Sequence, residues 1–198
     1  MKKKNKFAEH YFKNLIISSS LIDYKKLEKF ANELAKVKKK NGRLFFIGVG
    51  GSAGNCSHAV NDFRKLCNFE SYSPVDNVSE LTARINDEGW DSSYSDWLIA
   101  SKVKKNDALF VMSVGGGNKR ANVSTNLIKS IDLAIRKKIK IFGVVGKDDG
   151  YLYKKGDYVL KVPVNDKKLL TPLSESFQAV IWHYLVSHPL LKEKPTKW

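Results

Sequence analysis

The sequence predicts an α/β fold: a three-layer αβα sandwich in which a parallel, flavodoxin-like sheet of about five strands follows an N-terminal helical extension. Short apolar runs alternate with longer amphipathic segments, as expected of parallel strands that helices cover on both faces. Two of these runs end in glycine-rich turns before a helix. The chain has 198 residues, 42% of them hydrophobic, which suits one domain with a buried core.

The N-terminal region predicts two helices that are separated near Ile22 and Asp23. Apolar side chains recur at helical spacing in both. They are Phe7, Phe12, Leu15 and Ile16 in the first helix and Leu27, Phe30, Leu34 and Val37 in the second. We expect residues 1–40 to form a helical extension and residues 41–198 to form the main domain.

Strands are predicted by four apolar runs and a weaker fifth. The four are Arg43–Gly48, Asp107–Ser113, Lys140–Val145 and Asp157–Val162, and the weaker one is Phe69–Ser73. A helix is predicted after the first run and another over Ala121–Lys137. The last helix is expected to have Thr171 as its N-cap and Pro172 at its first position, and to end where His188 precedes a proline.

The net charge of +15 comes mostly from lysine, since only five of the 35 basic residues are arginine. The lysines are spread along the whole chain. Because base readout and bidentate phosphate contacts favour arginine, we predict no nucleic-acid partner. A diffuse basic field would still attract anionic substrates.

Neither a membrane span nor a signal peptide is predicted. No apolar run approaches the roughly 18 residues of a membrane helix, and no signal-peptide apolar region follows the basic start of the chain. We therefore expect a cytoplasmic protein with no membrane partner. Cys56 and Cys67 lack the close pairing of a zinc site, and we expect both to be buried thiols in a reducing compartment.

Glycine-rich turns at residues 48–52 and 113–118 are the main candidates for a binding site. Glycines let successive backbone amides point at one spot, and the following helix N-terminus adds partial positive charge. The alternative is that glycine only permits a tight turn, but two such turns favour an anion site. The first turn also fits the dinucleotide fingerprint G-x-G-x-x-A. A dinucleotide is disfavoured because the expected acid, Glu70, begins the second strand instead of ending it.

Further polar residues follow these turns in a fixed order. The ordered set is Gly50-Gly51-Ser52, His58, Asn86-Asp87, the turn from Ser113 to Asn118, and Glu175, Gln178 and His183 on the last helix. This order resembles the sugar isomerase (SIS) domain family and, within it, the phosphoheptose isomerases. The resemblance implies an aldose–ketose isomerase acting on a phosphorylated sugar such as sedoheptulose 7-phosphate. It also implies a homotetramer in which the helices of residues 1–40 pack between subunits.

The resemblance implies site residues position by position. The residues implied to bind the sugar phosphate are Gly50, Gly51, Ser52, Asn86, Asp87, Ser113, Gly115, Asn118 and Glu175. The residues implied to hold zinc or another divalent ion are His58, Asp62, Glu175 and His183. His58 and Asp62 are four residues apart and so share a helix face. We predict Asp62 as the base and His183 as the acid of an enediol mechanism, with Glu80 as a reserve base.

The chain departs from the family at several of these positions. Asp62 stands where the family usually has glutamate, and Glu175 stands where it usually has glutamine. The second turn has one hydroxyl, that of Ser113, where the family's turn is rich in hydroxyls. Two alternatives therefore stay open: a non-catalytic SIS-domain protein that senses a phosphosugar or bridges partner proteins, and an isomerase for a different phosphorylated ketose.

Overall fold

Eight α-helices and five β-strands are present in residues 2–197, the part of the chain that this computed structural model describes. The helices are α1 (Lys2–Ser20), α2 (Tyr24–Lys39), α3 (Gly51–Cys67), α4 (Val78–Glu88), α5 (Ser93–Ala100), α6 (Thr125–Arg136), α7 (Tyr151–Lys155) and α8 (Leu170–Ser187). The strands are β1 (Leu44–Ile47), β2 (Ser71–Tyr72), β3 (Ala108–Ser113), β4 (Lys140–Val145) and β5 (Tyr158–Lys161). Met1 and Trp198, the outer bounds of the two predicted units, lie outside the described residues.

The strands form one parallel sheet in the order β2-β1-β3-β4-β5. This is the flavodoxin-like order, so the predicted fold class is confirmed. In β1, β3 and β4 every residue but Lys140 is buried, which explains their nearly continuous apolar sequences. The weak strand predicted near residue 71 is reduced to the two residues of β2.

Side chains on alternate strand positions build two cores, one on each face of the sheet. Phe46 of β1 and Phe110 of β3 lie on the face that α2, α3 and α8 cover. Phe45 and Leu109 lie on the opposite face, under α5, α6 and α7. The three layers follow directly from this alternation. Within residues 2–197, no helix has both the length and the apolar character that crossing a membrane requires.

Two helix boundaries differ from the prediction. Helix α6 begins at Thr125 rather than Ala121, because Asn118 and Val123 exchange backbone hydrogen bonds of 3.0 and 3.1 Å and close a turn before it. Helix α8 begins at Leu170, so the prediction that Thr171 is its N-cap is wrong. The cap is displaced because a 3₁₀ helix, Lys167–Leu169, leads directly into α8.

The two N-terminal helices differ in how far the chain covers their apolar stripes. The predicted stripe of α2 is buried against the sheet. On α1, Phe7, Phe12 and Ile16 are 61% to 66% exposed, and Leu15 is only partly buried. The described residues therefore leave the apolar stripe of α1 largely uncovered.

Both cysteines are free and completely buried, as predicted. Burial in the core raises the pKa of the Cys56 thiol and raises the pKa of Cys67 to about 11. Since only the thiolate reacts, both side chains are structural at neutral pH.

An ion pair between a partly buried arginine and a fully buried aspartate fixes β1 beside β3. Asp107, fully buried, accepts hydrogen bonds from the backbone amides of Arg43 and Lys104, both at 2.9 Å, and from the Arg43 guanidinium at 2.8 Å. Arg43 precedes β1 and Asp107 precedes β3, so the pair sets the start of both strands. Their opposite ends carry the two glycine turns.

We predict that Asp107→Asn lowers the free energy of unfolding by about 2–4 kcal/mol, because an amide nitrogen cannot accept and the partly buried Arg43 guanidinium loses its counter-charge. Urea denaturation followed by circular dichroism measures the change. The matched control is Asp148→Asn, which breaks the exposed pair with Lys161 and should leave stability unchanged within error. Equal effects of the two substitutions would contradict the role given to Asp107.

Candidate active site

Both glycine turns lie at the carboxyl edge of the sheet, one after β1 and one after β3. These strands are neighbours, but the chain leaves them toward opposite faces, since α3 packs with α2 and α8 while α6 packs on the other side. This is the topological switch point, where ligands bind in open α/β sheets.

The first turn is held in a shape that requires glycine. Gly50 has φ +63°, in the region that disfavours other residues, and a Cβ on Gly48 would lie 2.7 Å from the backbone of Ser52. The hydroxyl of Tyr94, from α5, donates to the Gly48 carbonyl at 2.8 Å. Burial raises the pKa of Tyr94 to about 12, so this hydroxyl keeps its proton as a donor.

The carboxylate of Glu175 lies against the first turn. A Cβ built on Gly51 would come within 2.6 Å of a carboxylate oxygen of Glu175. Gly51 opens α3, whose N-terminus carries partial positive charge and therefore favours an anionic group. Glu175 is thus placed at the turn against Gly51, one of the residues that the resemblance implies for substrate binding.

The second turn is closed by its own backbone. Gly116 and Gly117 have φ of +72° and +82°, and the Gly116 amide donates to the Ser113 hydroxyl oxygen at 3.0 Å. Ser113 is buried, so its hydroxyl shapes the turn from inside. A groove of about 290 Å³ lies along this turn. Its lining residues include Gly115, Gly117, Asn118, Ser124, Lys147 and Asp149.

Two cations beside the second turn have different surroundings. Lys147 lines the groove. The ammonium of Lys119 instead lies 3.2 Å from Asp132 and 4.4 Å from the centre of the Tyr151 ring. Lys147 is therefore the groove's positive side chain, and Lys119 is already paired.

His58, Asp62 and His183 form a cluster between α3 and α8. One ligand atom from each lies within 4.8 Å of the other two. The Asp62 Oδ2 atom is 3.9 Å from His58 Nε2 and 3.8 Å from His183 Nε2. The side chain of Asp62 is only 14% exposed, whereas both imidazoles are more than half exposed. The structure thus brings together three of the four residues predicted to hold a metal.

The hydrogen bond of His183 fixes which nitrogen faces Asp62. His183 Nδ1 lies 2.8 Å from the Ala179 carbonyl, which can only accept, so Nδ1 carries the hydrogen. A neutral His183 ring therefore has its lone pair on Nε2, pointing into the cluster. The Trp182 ring packs against both imidazoles, with centroids 4.6 Å from His58 and 3.5 Å from His183.

The fourth predicted ligand, Glu175, lies outside the cluster. It precedes His183 by eight residues on α8, about 12 Å along the helix axis. Sharing a helix face therefore does not bring the two side chains to one point. In the structure Glu175 contacts the first glycine turn, while His183 contacts Asp62.

Asn86 and Asp87 are placed on the exposed surface of α4. The Asn86 amide donates to the Asp87 carboxylate at 2.7 Å, and no recorded hydrogen bond or ion pair within residues 2–197 joins either side chain to a glycine turn. Glu80, the reserve base, is paired with Arg84 at 2.8 Å. Among the described residues, no hydrogen bond or ion pair therefore links these three side chains to the rest of the candidate site.

Asn55 and Tyr94 have no site role predicted from the sequence, and Gln178 is there only a member of the ordered set. Asn55 donates to the Glu175 carbonyl and to Gln178, and Gln178 donates to Ser52. The available signal was spacing, since Asn55 follows Ser52 by three residues and so shares its helix face.

Comparison with known proteins identifies the family. No family model matches the chain. It is 31% identical over 158 residues to the lincomycin biosynthesis protein LmbN of Streptomyces lincolnensis, covering 74% of this chain but only 56% of that protein's length. A phosphoheptose isomerase of Buchnera aphidicola is 30% identical over 141 residues, 69% of each chain.

Among solved structures, the phosphoheptose isomerase GmhA of Neisseria gonorrhoeae superposes with a TM-score of 0.77 at 19% identity, covering 94% of this chain and 95% of that one. At that identity the superposition shows the shared fold. Together with the level of identity to the Buchnera protein, it shows that the chain belongs to the phosphoheptose isomerase family.

Proposed function

We propose that this protein is an aldose–ketose isomerase that converts sedoheptulose 7-phosphate into D-glycero-D-manno-heptose 7-phosphate through an enediol. The observation that carries the proposal is the cluster of His58, Asp62 and His183, which holds a largely buried carboxylate between two imidazoles. Carboxylate and imidazole are the groups that move a proton between two carbons of a sugar.

The reaction moves a proton between C1 and C2, and the cluster supplies groups for both halves of the transfer. Asp62 acts as the base that removes the proton from carbon. Without a metal, His183 protonated at Nε2 acts as the acid toward the carbonyl oxygen; with zinc bound, Nε2 would be a ligand and the metal would polarise that oxygen instead. His58 orients Asp62 from the same face of α3, at 3.9 Å.

The same three side chains fit a divalent ion. Two imidazole nitrogens and one carboxylate oxygen are ligand types that zinc takes, and three protein ligands leave a position for substrate. The Nδ1 hydrogen bond of His183 orients its Nε2 lone pair in the way typical of metal-ligating histidines. We propose zinc at His58, Asp62 and His183, with Glu175 as a further ligand or a substrate contact. A bound zinc ion would polarise the sugar carbonyl.

The remaining predicted residues are assigned to the substrate. Ser113, Gly115 and Asn118 are proposed to hold the phosphate in the groove of the second turn, with Lys147 supplying positive charge. Gly50, Gly51 and Ser52 are proposed to contact the sugar from the first turn, together with Glu175. Asn86 and Asp87 are proposed to contact sugar hydroxyls.

The alternative of a non-catalytic phosphosugar sensor is less well supported. It would explain why the second turn has a single hydroxyl, which is buried. A sensor, however, has no need of a carboxylate held between two imidazoles.

We predict that chelator-treated protein loses turnover of sedoheptulose 7-phosphate and that added Zn²⁺ restores it. Asp62→Asn and His183→Gln should each lower kcat by about 10²- to 10⁴-fold, because each removes a proton-transfer group. The measurement is formation of the aldose product, with circular dichroism to verify folding. Glu193→Gln, which removes an exposed carboxylate paired with Lys38, is the control and should keep the parent rate.

Two results would overturn parts of this proposal. Full turnover after metal removal would show that Asp62 and His183 carry out the acid–base chemistry without zinc. Protein that binds the sugar phosphate but turns it over in neither condition would be a sensor.

We also propose that the protein is a homotetramer of the cytoplasm in which α1 packs between subunits. The exposed Phe7, Phe12 and Ile16 form an apolar stripe that a partner subunit would cover. The two free, buried cysteines fit a reducing compartment.

We predict that Phe12→Glu shifts the mass measured by multi-angle light scattering from a tetramer to a smaller species, because the substitution places a charge in an apolar interface. The control is Lys13→Glu, an exposed neighbour on α1 with a larger change in charge. A tetramer that persists in Phe12→Glu would exclude this stripe as the interface.

A further inference from the structure

Three polar side chains join α3 to α8 beneath the first glycine turn. Gln178 is completely buried, Ser52 is 2% exposed, and Asn55 is partly buried. Asn55 Nδ2 lies 2.9 Å from Gln178 Oε1, and Gln178 Nε2 lies 3.0 Å from Ser52 Oγ. A buried polar network of this kind is favourable only if each donor meets an acceptor, so its direction is constrained.

The backbone carbonyl of Glu175 sets that direction. It lies 3.0 Å from the Asn55 side-chain amide and can only accept, so the Asn55 atom facing it is the nitrogen. The same nitrogen faces Gln178, whose facing atom must then be the oxygen. The nitrogen of Gln178 therefore points at Ser52. Each step follows from the one before, and the chain of donors runs from Asn55 through Gln178 to Ser52.

The direction of the network determines the hydrogen-bonding role of the Ser52 hydroxyl. Its oxygen accepts from Gln178, so its hydrogen is left to donate elsewhere. No acceptor within residues 2–197 is recorded for that hydrogen. Ser52 lies in the first turn of α3, next to Gly51 and the Glu175 carboxylate. The hydroxyl is thus prepared as a donor at the edge where the substrate is proposed to bind.

We propose that Asn55 and Gln178 are positioning residues that hold the Ser52 hydroxyl as a hydrogen-bond donor to an oxygen of the phosphorylated sugar. This inference rests on the proposed function, because it assigns the acceptor to the substrate. Asn55 and Gln178 do not touch the substrate, and they act through Ser52.

The decisive variant is Asn55→Asp, which keeps the shape of the side chain but can only accept when ionised. Gln178 must then turn its nitrogen toward residue 55 and its oxygen toward Ser52. Ser52 donates to that oxygen and has no hydrogen left for the substrate. Gln178→Glu, a second variant, also presents Ser52 with an acceptor while keeping the bond from Asn55. The matched control is Asn32→Asp on α2, which loses an equivalent amide-to-carbonyl bond to Glu28 on an exposed face.

The kinetic test is a double-mutant cycle with sedoheptulose 7-phosphate at pH 8. Asn55→Asp, Gln178→Glu and Ser52→Ala should each raise KM about 10-fold, the effect of one hydrogen bond to a polar or charged partner. Adding Asn55→Asp to Ser52→Ala should have no further effect, because both remove the same donor. Asn32→Asp should leave KM unchanged. Additive effects in the cycle would reduce Asn55 to a structural link between helices and overturn the proposal.

A second measurement tests the direction of the network without any substrate. In the parent protein, nuclear Overhauser effects from the Gln178 amide hydrogens should reach the Ser52 β-hydrogens, and in Asn55→Asp they should move to the β-hydrogens of residue 55. A parent signal at Asn55 instead of Ser52 would overturn the inference even if turnover is found. Absence of turnover in the parent would contradict the proposed function, while the amide signals would still decide the network.

Discussion

The contact between α3 and α8 is the interaction on which the candidate site depends. The two helices lie side by side in parallel, with Gly51 beside Glu175 at their N-termini and Cys67 beside Val186 at their C-terminal ends. Between those points, the network from Asn55 to Ser52 and the pairing of Asp62 with His183 cross the same interface. Because the helices are parallel, both N-termini lie at the carboxyl edge of the sheet, where their partial positive charges add. The buried Trp182 packs the histidines at the other end. A shift of α8 by one turn would separate all of these pairs together.

The sequence predicted the sheet well because each buried parallel strand is a short, nearly continuous apolar run that can be recognised from its own residues. Residues 141–145 form an apolar run after a helix, and the strand predicted over residues 140–145 matches the bounds of β4. The first residues of the helices were harder to predict, because they depend on contacts with residues outside the local sequence. Thr171 and Pro172 are residue types typical of a helix start. The 3₁₀ helix that ends at Leu169 nevertheless leads directly into α8, so the helix begins at Leu170. The strand predicted over Phe69–Ser73 is reduced to the two residues of β2, at one edge of the sheet.

The candidate site likewise contains contacts that local spacing predicted and contacts that depend on tertiary packing. His58 and Asp62 are four residues apart, and that spacing alone predicted their contact. His183 joins them only through tertiary packing, and it was the resemblance that placed it there. The same resemblance put Glu175 with the metal ligands, whereas the structure puts its carboxylate at Gly51, because eight residues span about 12 Å of helix. The direction of the Asn55 network could not be predicted at all. It depends on which atoms face the Glu175 carbonyl, and side-chain amides carry a donor and an acceptor of nearly equal shape.

The position of Glu175 bears on how the two glycine turns share a substrate. A carboxylate beside Gly51 already interacts with the N-terminus of α3, so a phosphate placed there would meet a like charge. The second turn offers the positive charge of Lys147 in its groove, although Asp149 lines the same groove. On the proposed function, the phosphate therefore belongs at the second turn, and the sugar hydroxyls belong at the first. Carboxylates accept hydrogen bonds from hydroxyls, and the Ser52 hydroxyl donates in return. Glu175, which stands where the family usually has glutamine, therefore adds a negative charge at the first turn. That charge disfavours the phosphate there and leaves the first turn to the uncharged part of the substrate.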